Sequence, residues 1–405
     1  MKHIISKSCA DAQAYIVPFR AGSPRSVSIT PEIDAAVDLA INGSFGGNLG
    51  ETYAMTLPAG DKLTSIILLG LGADRLSVRD IHTKAAQAFK QAKQLGARHV
   101  AIMLDQLSEL SESFELFGAL ARLPQLAGYT NSGLKSNPEN KSFEQVAFVT
   151  AADGLDAALS EAVATARGTI IARRLCNLRS NEQTPQSLAE DAAALGKEYG
   201  FDVQLFDKVA IEELGMESFL SVARGAHNTP PVLIVMRYLN GGDSPRIGLV
   251  GKGIVYDSGG YSIKTTPGMK NMFDDMGGAA AVIGAMTAVA DQKLKANVIG
   301  VIAACENKIA ADAYVPGDII GSMSGKTIEV ISADAEGRLT LADAVTYIQR
   351  KESCRFVADI ATLTGSAKTA VGKYSAAVLT NNEELYASAR EASRLSAEKI
   401  WRLDN

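Results

Sequence analysis

The sequence predicts an α/β protein of two domains: a smaller N-terminal α/β domain and a C-terminal domain with a central, mostly parallel mixed sheet flanked by helices. Three observations predict this class. The length of 405 residues suggests two domains. Hydrophobic residues make up 47% and charged residues 21%, which is typical of a globular protein with an ample core. Apolar runs alternate with helical patterns, as in strand–helix–strand units. We place the boundaries at 1–153, a linking helix at 154–177, and 178–405.

The first half alternates buried strands with an amphipathic helix. The apolar run 64–72 predicts a strand, and 77–96 predicts a helix that ends at a glycine. Further strands are predicted at 99–105 and 145–152. The polar stretch 129–144 contains Asn, Gly, Pro and Ser, which is typical of a loop or an edge hairpin.

The second half begins with the Ala-rich helix 154–177. A second helix follows, for which Thr184 fits the N-cap, Pro185 the first position and Gly200 the residue after the last turn. Apolar runs then predict the strands of a second, mostly parallel sheet, at 201–207, 231–238, 246–258, 297–306, 326–334 and 355–365.

Composition excludes several function classes. A net charge of −5 provides no electrostatic basis for non-specific binding to nucleic acid or anionic membranes. The N-terminus lacks the apolar region of a signal peptide, and no apolar run is long enough for a membrane span, so we expect a cytoplasmic protein. The scattered cysteines indicate reduced thiols, at Cys9, Cys176, Cys305 and Cys354. The histidines are too far apart to favour a His-rich zinc site or a Ser-His-Asp triad: His3, His82, His99 and His227.

Charged residues cluster at the predicted strand and helix ends, where open α/β sheets bind ligands. They are Lys252, Asp257, Lys264, Asp275, Asp334, Glu336 and Arg338. Period two along an extended segment places Asp334, Glu336 and Arg338 on one face. On local sequence alone, Asp275 fits a helix N-cap equally well. The glycine-rich stretch 251–260 lacks the spacing of a phosphate-binding loop.

Several carboxylates in one crevice raise one another's pKa, so cations must intervene. Oxygen ligands suit hard divalent ions, and Zn²⁺ and Mn²⁺ also accept carboxylates. Glu336 and Asp257 could each bridge two ions about 3.5–4 Å apart. Beside two cations, one lysine could act as a neutral nitrogen ligand, and the other could remain charged and polarise a substrate oxygen.

At these residues the sequence resembles the leucyl aminopeptidase family of metallopeptidases (M17 type), especially its bacterial members. The family signature NTDAEGR(L/I)xLADA is SADAEGRLTLADA at 332–344. Four further blocks match in order: VGKGIVYDSGGYSIK (250–264), MKNMFDDMGGAA (269–280), ENKIAADAYVPGD (306–318) and ATLTGS (361–366). The resemblance covers roughly residues 165–405.

The resemblance implies a dimetal aminopeptidase that removes N-terminal leucine and similar residues from peptides. One ion would be bound by Lys252, Asp257, Asp275 and Glu336, and a more exchangeable ion by Asp257, Asp334 and Glu336, with the carbonyl of Asp334. The ions would be Mn²⁺ or Zn²⁺, with Mg²⁺ or Co²⁺ as alternatives. Lys264 matches the electrophilic lysine, and Arg338 matches the arginine that binds bicarbonate, the general base for a metal-activated water. Residues matching the substrate pocket are Met272, Thr362, Leu363 and Gly365.

The resemblance also implies a homohexamer. Family chains continue for several tens of residues past the segment matching 401–405, so we expect the catalytic domain to lack its C-terminal end. Ser332 and Ala333 replace the family's Asn-Thr, which affects the expected substrate contacts rather than the metals.

Three other functions compete with this interpretation. A catalytically impaired relative could serve as a binding protein, but clustered charges tend to be lost when a site drifts. A DNA-architectural role lacks support from the net charge of −5, although a hexamer could concentrate Lys and Arg locally. Phosphoryl transfer fits the carboxylates but leaves Arg338 unexplained.

Overall fold

The computed structural model describes residues 1–8, 12–59, 61–131 and 142–404. Most of the predicted loop 129–144 lies outside these residues, as does Cys9. The other three cysteines are free thiols. None of the helices among the described residues has the length and apolar character needed to span a membrane.

Strands occur along the whole length of the described residues. In order they are β1 (Lys2–Ser6), β2 (Ala14–Phe19), β3 (Thr52–Ala59), β4 (Lys62–Gly70), β5 (His99–Met103), β6 (Gln145–Val149), β7 (Asp202–Phe206), β8 (Val232–Leu239), β9 (Arg246–Asp257), β10 (Asn297–Asn307), β11 (Ile319–Ile320), β12 (Ile328–Glu329), β13 (Phe356–Ile360), β14 (Ser375–Val378) and β15 (Lys399–Arg402).

Helices alternate with these strands. In order they are α1 (Pro31–Gly43), α2 (Val78–Asp80), α3 (Ala86–Gln94), α4 (Glu109–Glu112), α5 (Phe114–Gly128), α6 (Asp156–Asn177), α7 (Pro185–Tyr199), α8 (Lys208–Glu213), α9 (Glu217–Ala223), α10 (Thr266–Met269), α11 (Gly277–Asp291), α12 (Glu336–Arg350), α13 (Gly365–Val371) and α14 (Glu383–Ser396). A π-helical turn, Ile81–Ala85, joins α2 to α3, so the predicted helix 77–96 is continuous but not regular.

Two compact units divide the chain. The first comprises residues 1–166 and 365–405, and the second comprises 167–364. The predicted domain boundaries at 1–153, 154–177 and 178–405 stay a prediction.

The first unit is built on a six-stranded sheet of order β1-β6-β5-β2-β4-β3. Every pairing in it is parallel except that of β3 with β4. Apolar side chains of α1 pack on one face, and those of α3 and α5 pack on the other. This is the three-layer arrangement expected when both faces of a mostly parallel sheet are covered.

The second unit is built on a five-stranded mixed sheet of order β13-β9-β10-β8-β7. Strand β9 is parallel to both β10 and β13, whereas β8 is antiparallel to β10 and β7. Helices α9 and α12 pack on one face, and α7 and α11 on the other. Helix α7 has the predicted ends: Thr184 forms a capping box, and Gly200 adopts a left-handed conformation at φ 89°.

Helices α6 and α11 approach closely within the second unit, at Gly168 and Gly284. A Cβ atom on Gly168 would lie 2.5 Å from the carbonyl oxygen of Gly284, and a Cβ atom on Gly284 would overlap the carbonyl oxygen of Gly168. Only glycine therefore allows this contact between the two helix backbones.

We expect Gly284→Ala to lower the free energy of unfolding by about 1–3 kcal/mol, because overpacking outweighs the gain in helix propensity. The matched control is Gly118→Ala in α5, where a Cβ atom meets nothing within 4 Å. This control should raise the free energy of unfolding by about 0.5–1 kcal/mol. Urea denaturation followed by circular dichroism measures both changes. A stabilised Gly284→Ala variant would contradict the close packing of α6 and α11.

Candidate metal centre

Two charged side chains come from β9, near the centre of the second sheet. Lys252 lies inside the strand, Asp257 is its last residue, and both are almost completely buried. Because β9 and β10 are parallel, their carboxyl ends meet at one edge of the sheet, where Asp257 pairs with Asn307. The parallel strand β13 ends at the same edge, just before Thr362. This edge is therefore the place where a ligand site is expected.

Three further carboxylates reach this edge from helix starts and a turn. Asp275 lies two residues before α11, Glu336 is the first residue of α12, and Asp334 lies in the turn that precedes α12. Asp275 and Glu336 are buried, and Asp334 is partly exposed. Gly337 makes room for the first lysine, since a Cβ atom there would lie 2.6 Å from Cε of Lys252.

Lys252 joins two of the buried carboxylates. Its Nζ atom lies 2.7 Å from Oδ2 of Asp275 and 2.8 Å from Oε1 of Glu336, and donates a 3.0 Å hydrogen bond to the carbonyl of Thr362. The Thr362 hydroxyl donates to Oδ1 of Asp275 at 2.7 Å. The ammonium group thus has three oxygen partners around it.

Lys264 joins the other two carboxylates. Its Nζ atom lies 2.8 Å from Oδ2 of Asp257 and 2.5 Å from Oδ1 of Asp334. The second oxygen of Asp257 accepts hydrogen bonds from the backbone N–H of Gly259 and from the side-chain amide of Asn307, each at 2.8 Å. Asp257 is therefore held from three sides.

Asp257, Asp334 and Glu336 each place a carboxylate oxygen so that these atoms lie within 4.8 Å of one another. Oxygen atoms at this spacing can share a divalent cation. The buried Oε2 atom of Glu336 accepts no hydrogen bond from any described residue. A buried carboxylate oxygen without a partner is costly, so this atom suits a metal ligand.

The electrostatics of the cluster favour additional positive charge. Burial raises the pKa of the Asp275 carboxyl to about 7, even though the Lys252 ammonium acts to lower it. Burial and the nearby Asp257 likewise raise the pKa of Glu336, again against the effect of Lys252. The pKa of Lys252 is raised because Glu336 and Asp275 outweigh its burial. Four carboxylates thus share two ammonium groups, which leaves an excess of negative charge that divalent ions would neutralise.

The remaining predicted site residues lie in several places. Arg338, in the first turn of α12, is exposed and forms no hydrogen bond or ion pair with any residue in the described ranges. Met272 begins a short 3₁₀ turn just before Asp275, and Leu363 is exposed beyond β13. Gly365 is the first residue of α13 and belongs to the first unit.

Two sequence predictions about local structure were wrong. The segment 326–334 is not a long strand, because β12 ends at Glu329 and Ile331 is 79% exposed. Asp334, Glu336 and Arg338 do not alternate along an extended segment: a turn closes from Ser332 to Ala335, and α12 begins at Glu336. The carboxylates converge because of this turn rather than because of period-two spacing.

The N-cap alternative for Asp275 was also wrong. Helix α11 begins at Gly277, its N-cap position is Met276, and no side chain caps it. The carboxylate of Asp275 instead contacts Lys252 and Thr362.

Sequence reasoning missed Asn307, Tyr314 and the hydroxyl of Thr362 as contacts of this cluster. Asn307 follows the apolar run of β10 directly, so the rule that ligands bind at strand ends could have found it. Tyr314 lies in an irregular segment, where periodicity offers no signal.

Two family models match the chain. The model of the cytosol aminopeptidase family catalytic domain matches residues 170–405, and that of the family's N-terminal domain matches residues 33–138. A probable cytosol aminopeptidase of Clostridium perfringens is 41% identical over 415 aligned positions, covering 99% of this chain and 83% of the relative. The chain belongs to the cytosol aminopeptidase family. A probable cytosol aminopeptidase of Fusobacterium nucleatum is 40% identical, over 89% of this chain and 73% of the relative.

Solved structures of similar proteins agree with this assignment. A mutant of tomato leucine aminopeptidase superposes with a TM-score of 0.86 and 29% identity, over all of this chain and 82% of the other. The bottromycin maturation enzyme BotP, in complex with Mn, gives a TM-score of 0.82 and 26% identity, over 97% of this chain and 81% of the other.

Membership of this family establishes the enzyme class. The protein is a hydrolase of the exopeptidase type, an aminopeptidase that acts on peptides. The two-domain α/β architecture predicted from the sequence is confirmed. Cytosol aminopeptidases use divalent metal ions, and the carboxylate cluster is a candidate site for them.

In the metal-free protein at pH 8, we expect Lys252→Met to lower the free energy of unfolding by about 3–5 kcal/mol, because Asp275 and Glu336 lose their buried partner. The matched control is Lys7→Met, since Lys7 pairs with Asp153 at 2.7 Å but both side chains are exposed. This control should be neutral. Chemical denaturation of both variants in the presence of a chelator provides the measurement. Equal stability of the Lys252→Met variant and the wild type would show that the buried pairs are unimportant.

Proposed function

We propose that this enzyme removes N-terminal residues, leucine and similar ones, from peptides with the aid of two divalent metal ions and a bicarbonate ion. The observation that carries this proposal is the convergence of Asp257, Asp334 and Glu336 at the carboxyl end of the sheet. The two lysines only partly balance these acids and Asp275. The family's divalent-metal requirement and a related enzyme in complex with Mn support the proposal.

The side chains present are suited to two ions. We assign one ion to Lys252, Asp257, Asp275 and Glu336, and the more exchangeable ion to Asp257, Asp334 and Glu336, with the backbone carbonyl of Asp334. When bound, divalent ions of this kind polarise a carbonyl group and lower the pKa of water into the physiological range. Mn²⁺ and Zn²⁺ suit these ligands best, because both ions accept carboxylates and a nitrogen donor. Mg²⁺ and Co²⁺ are the alternatives.

The two lysines are assigned different roles, one as a neutral metal ligand and the other as a charged hydrogen-bond donor. Lys252 is almost completely buried between two carboxylates. Because an ammonium nitrogen has no free electron pair, Lys252 would have to lose its proton to serve as a nitrogen ligand. Lys264 is more accessible, and it contacts Asp257 and Asp334. Cations that neutralise these carboxylates would release the Lys264 ammonium, which then can donate a hydrogen bond to the oxygen of the scissile carbonyl.

Arg338 supplies a site for an anion. Its guanidinium group is exposed, has no partner among the described residues, and lies in the same helical turn as Glu336. A guanidinium group binds planar oxyanions in a bidentate manner, and bicarbonate is such an anion. We assign to Arg338 the task of positioning bicarbonate as the general base.

Substrate orientation follows from the charge of the site. The excess of carboxylates favours the free amino group of a peptide over its carboxylate end, which is consistent with removal of N-terminal residues. We assign the lining of the substrate pocket to Met272, Thr362, Leu363 and Gly365. In this structure Thr362 also contacts Asp275 through its hydroxyl.

We further propose that the enzyme acts in the cytoplasm as a homohexamer, and that residues 178–405 form its catalytic domain. Resemblance to the family supports these assignments. Light scattering on the purified protein would measure the mass of the assembly, and a monomer of 42.6 kDa would contradict the hexamer.

The neighbouring residues Asp274 and Asp275 provide a matched pair of substitutions to test the proposed metal centre. We expect Asp275→Asn to lower Leu-p-nitroanilide hydrolysis more than about 100-fold after loading with Mn²⁺ or Zn²⁺, because it removes an assigned metal ligand. Asp274→Asn should keep at least half of the wild-type activity, since Asp274 is exposed and makes no ion pair with a described residue.

Glu336→Gln serves as a second inactive variant, because its carboxylate is assigned to both ions. Metal content should be measured on the same samples. Wild-type protein with two bound ions per chain and no turnover of Leu-p-nitroanilide would refute the proposed two-metal removal of N-terminal leucine. Equal losses in the Asp274 and Asp275 variants would refute the assignment of Asp275.

A further inference from the structure

The turn that carries Asp334 has little regular structure to hold it in place. It lies between β12 and α12, and its own backbone closure is a 3.2 Å hydrogen bond from the N–H of Ala335 to the carbonyl of Ser332. The position of Asp334 relative to Asp257 therefore depends on side chains outside the turn.

Ala333, the residue before Asp334, has both of its backbone groups bound by side chains. Its carbonyl oxygen accepts hydrogen bonds from the amide of Asn307 at 2.9 Å and from the hydroxyl of Tyr314 at 2.8 Å. Its N–H donates to the hydroxyl of Ser262 at 3.0 Å. Ala333, Asn307 and Tyr314 are each at most 1% exposed. One backbone unit next to an assigned metal ligand is thus held at both ends.

Asn307 connects this turn directly to a second assigned ligand. The same side-chain nitrogen that binds the carbonyl of Ala333 also donates to Oδ1 of Asp257 at 2.8 Å. Both neighbours are acceptors, so the NH₂ group, and not the oxygen, must face them. This amide therefore links the carboxylate of Asp257 to the backbone of the turn that carries Asp334, whereas Lys264 links the two carboxylates themselves.

We propose that Asn307 and Tyr314 are positioning residues that hold the Asp334 turn at the distance from Asp257 that cation binding requires. This inference rests on the proposed function, because it concerns the same metal centre. Neither side chain is assigned as a ligand. Groups that orient metal ligands typically contribute 10- to 100-fold to metal affinity.

The two residues should affect the two ions differently. Tyr314 contacts the turn through Ala333 and, within the described part of the chain, forms no hydrogen bond with Asp257. It should therefore act on the ion assigned to Asp257, Asp334 and Glu336. Asn307 contacts both Asp257 and Ala333, so it should act on both ions. A general loss of stability would not produce this difference.

Tyr238 provides a matched control. Its hydroxyl donates a 3.0 Å hydrogen bond to the carbonyl of Leu294, the side chain is 6% exposed, and it belongs to the same unit. It pairs with Val298 near the start of β10, whereas Asn307 is the last residue of that strand. Tyr238→Phe therefore removes the same kind of bond at the opposite edge of the sheet, together with one that the hydroxyl accepts from Asn240 at 3.1 Å.

The experiment is a titration of the metal-free full chain with Mn²⁺, in which electron paramagnetic resonance measures the free ion. We expect Tyr314→Phe to raise the dissociation constant of the weaker-bound ion about 10-fold or more and that of the tighter ion less than about threefold. Asn307→Ala should weaken both ions about 10-fold or more. Tyr238→Phe should leave both constants at wild-type values. Excess Mn²⁺ should restore kcat in Tyr314→Phe, and circular dichroism should confirm that each variant is folded.

The outcomes separate this inference from the proposed function. If the wild type binds two ions and Tyr314→Phe binds them equally well, the positioning role is refuted while the metal centre stands. Equal weakening by Tyr238→Phe would also refute it, because the effect would then be one of general stability. If the wild type binds no Mn²⁺, the proposed function fails, and this inference fails with it. If the Asn307→Ala variant does not fold, the metal affinities of Tyr314→Phe alone test the positioning role, because this substitution removes only one oxygen atom.

Discussion

The balance of charge at the carboxyl end of the second sheet is the constraint on which the rest of the site depends. Four carboxylates lie around two lysine ammonium groups, and three of the four acids are almost completely buried. Burial raises the pKa of Asp275 and Glu336 even with Lys252 in contact. The fold therefore maintains an excess of negative charge in a place where it is costly, which is the property expected of a site for divalent cations.

The parallel strands explain how the chain assembles such a cluster. Strands β9, β10 and β13 end at one edge, so residues far apart in the sequence meet there. Asn307 at the end of β10 then contacts both Asp257 and Ala333, which couples the strand ends to the turn before α12. The arrangement of the carboxylates in this chain thus involves neutral side chains as well as charged ones.

Prediction from the sequence succeeded where local rules decide the structure and failed where distant contacts do. The ends of α7 follow from Thr184, Pro185 and Gly200, whose cap geometry is local. The strands β9 and β10 follow from apolar runs. The turn at 332–335 was predicted as an extended segment, because the hydrogen bonds that hold it come from Asn307, Tyr314 and Ser262, distant in sequence. Motif resemblance selected the charged residues of the site, but the lysine–carboxylate pairing required the structure.

The number of divalent ions bound per chain decides whether the carboxylate cluster is a dimetal centre. The purified chain, loaded with Mn²⁺ or Zn²⁺ and freed of unbound ions by gel filtration, can be analysed by inductively coupled plasma mass spectrometry. If the clustered carboxylates are a dimetal centre, the wild type will retain close to two ions per chain, and Glu336→Gln will retain fewer. A wild-type protein that retains no divalent ion would contradict the assignment of these carboxylates as metal ligands. The buried carboxylates would then be present for a reason other than metal binding.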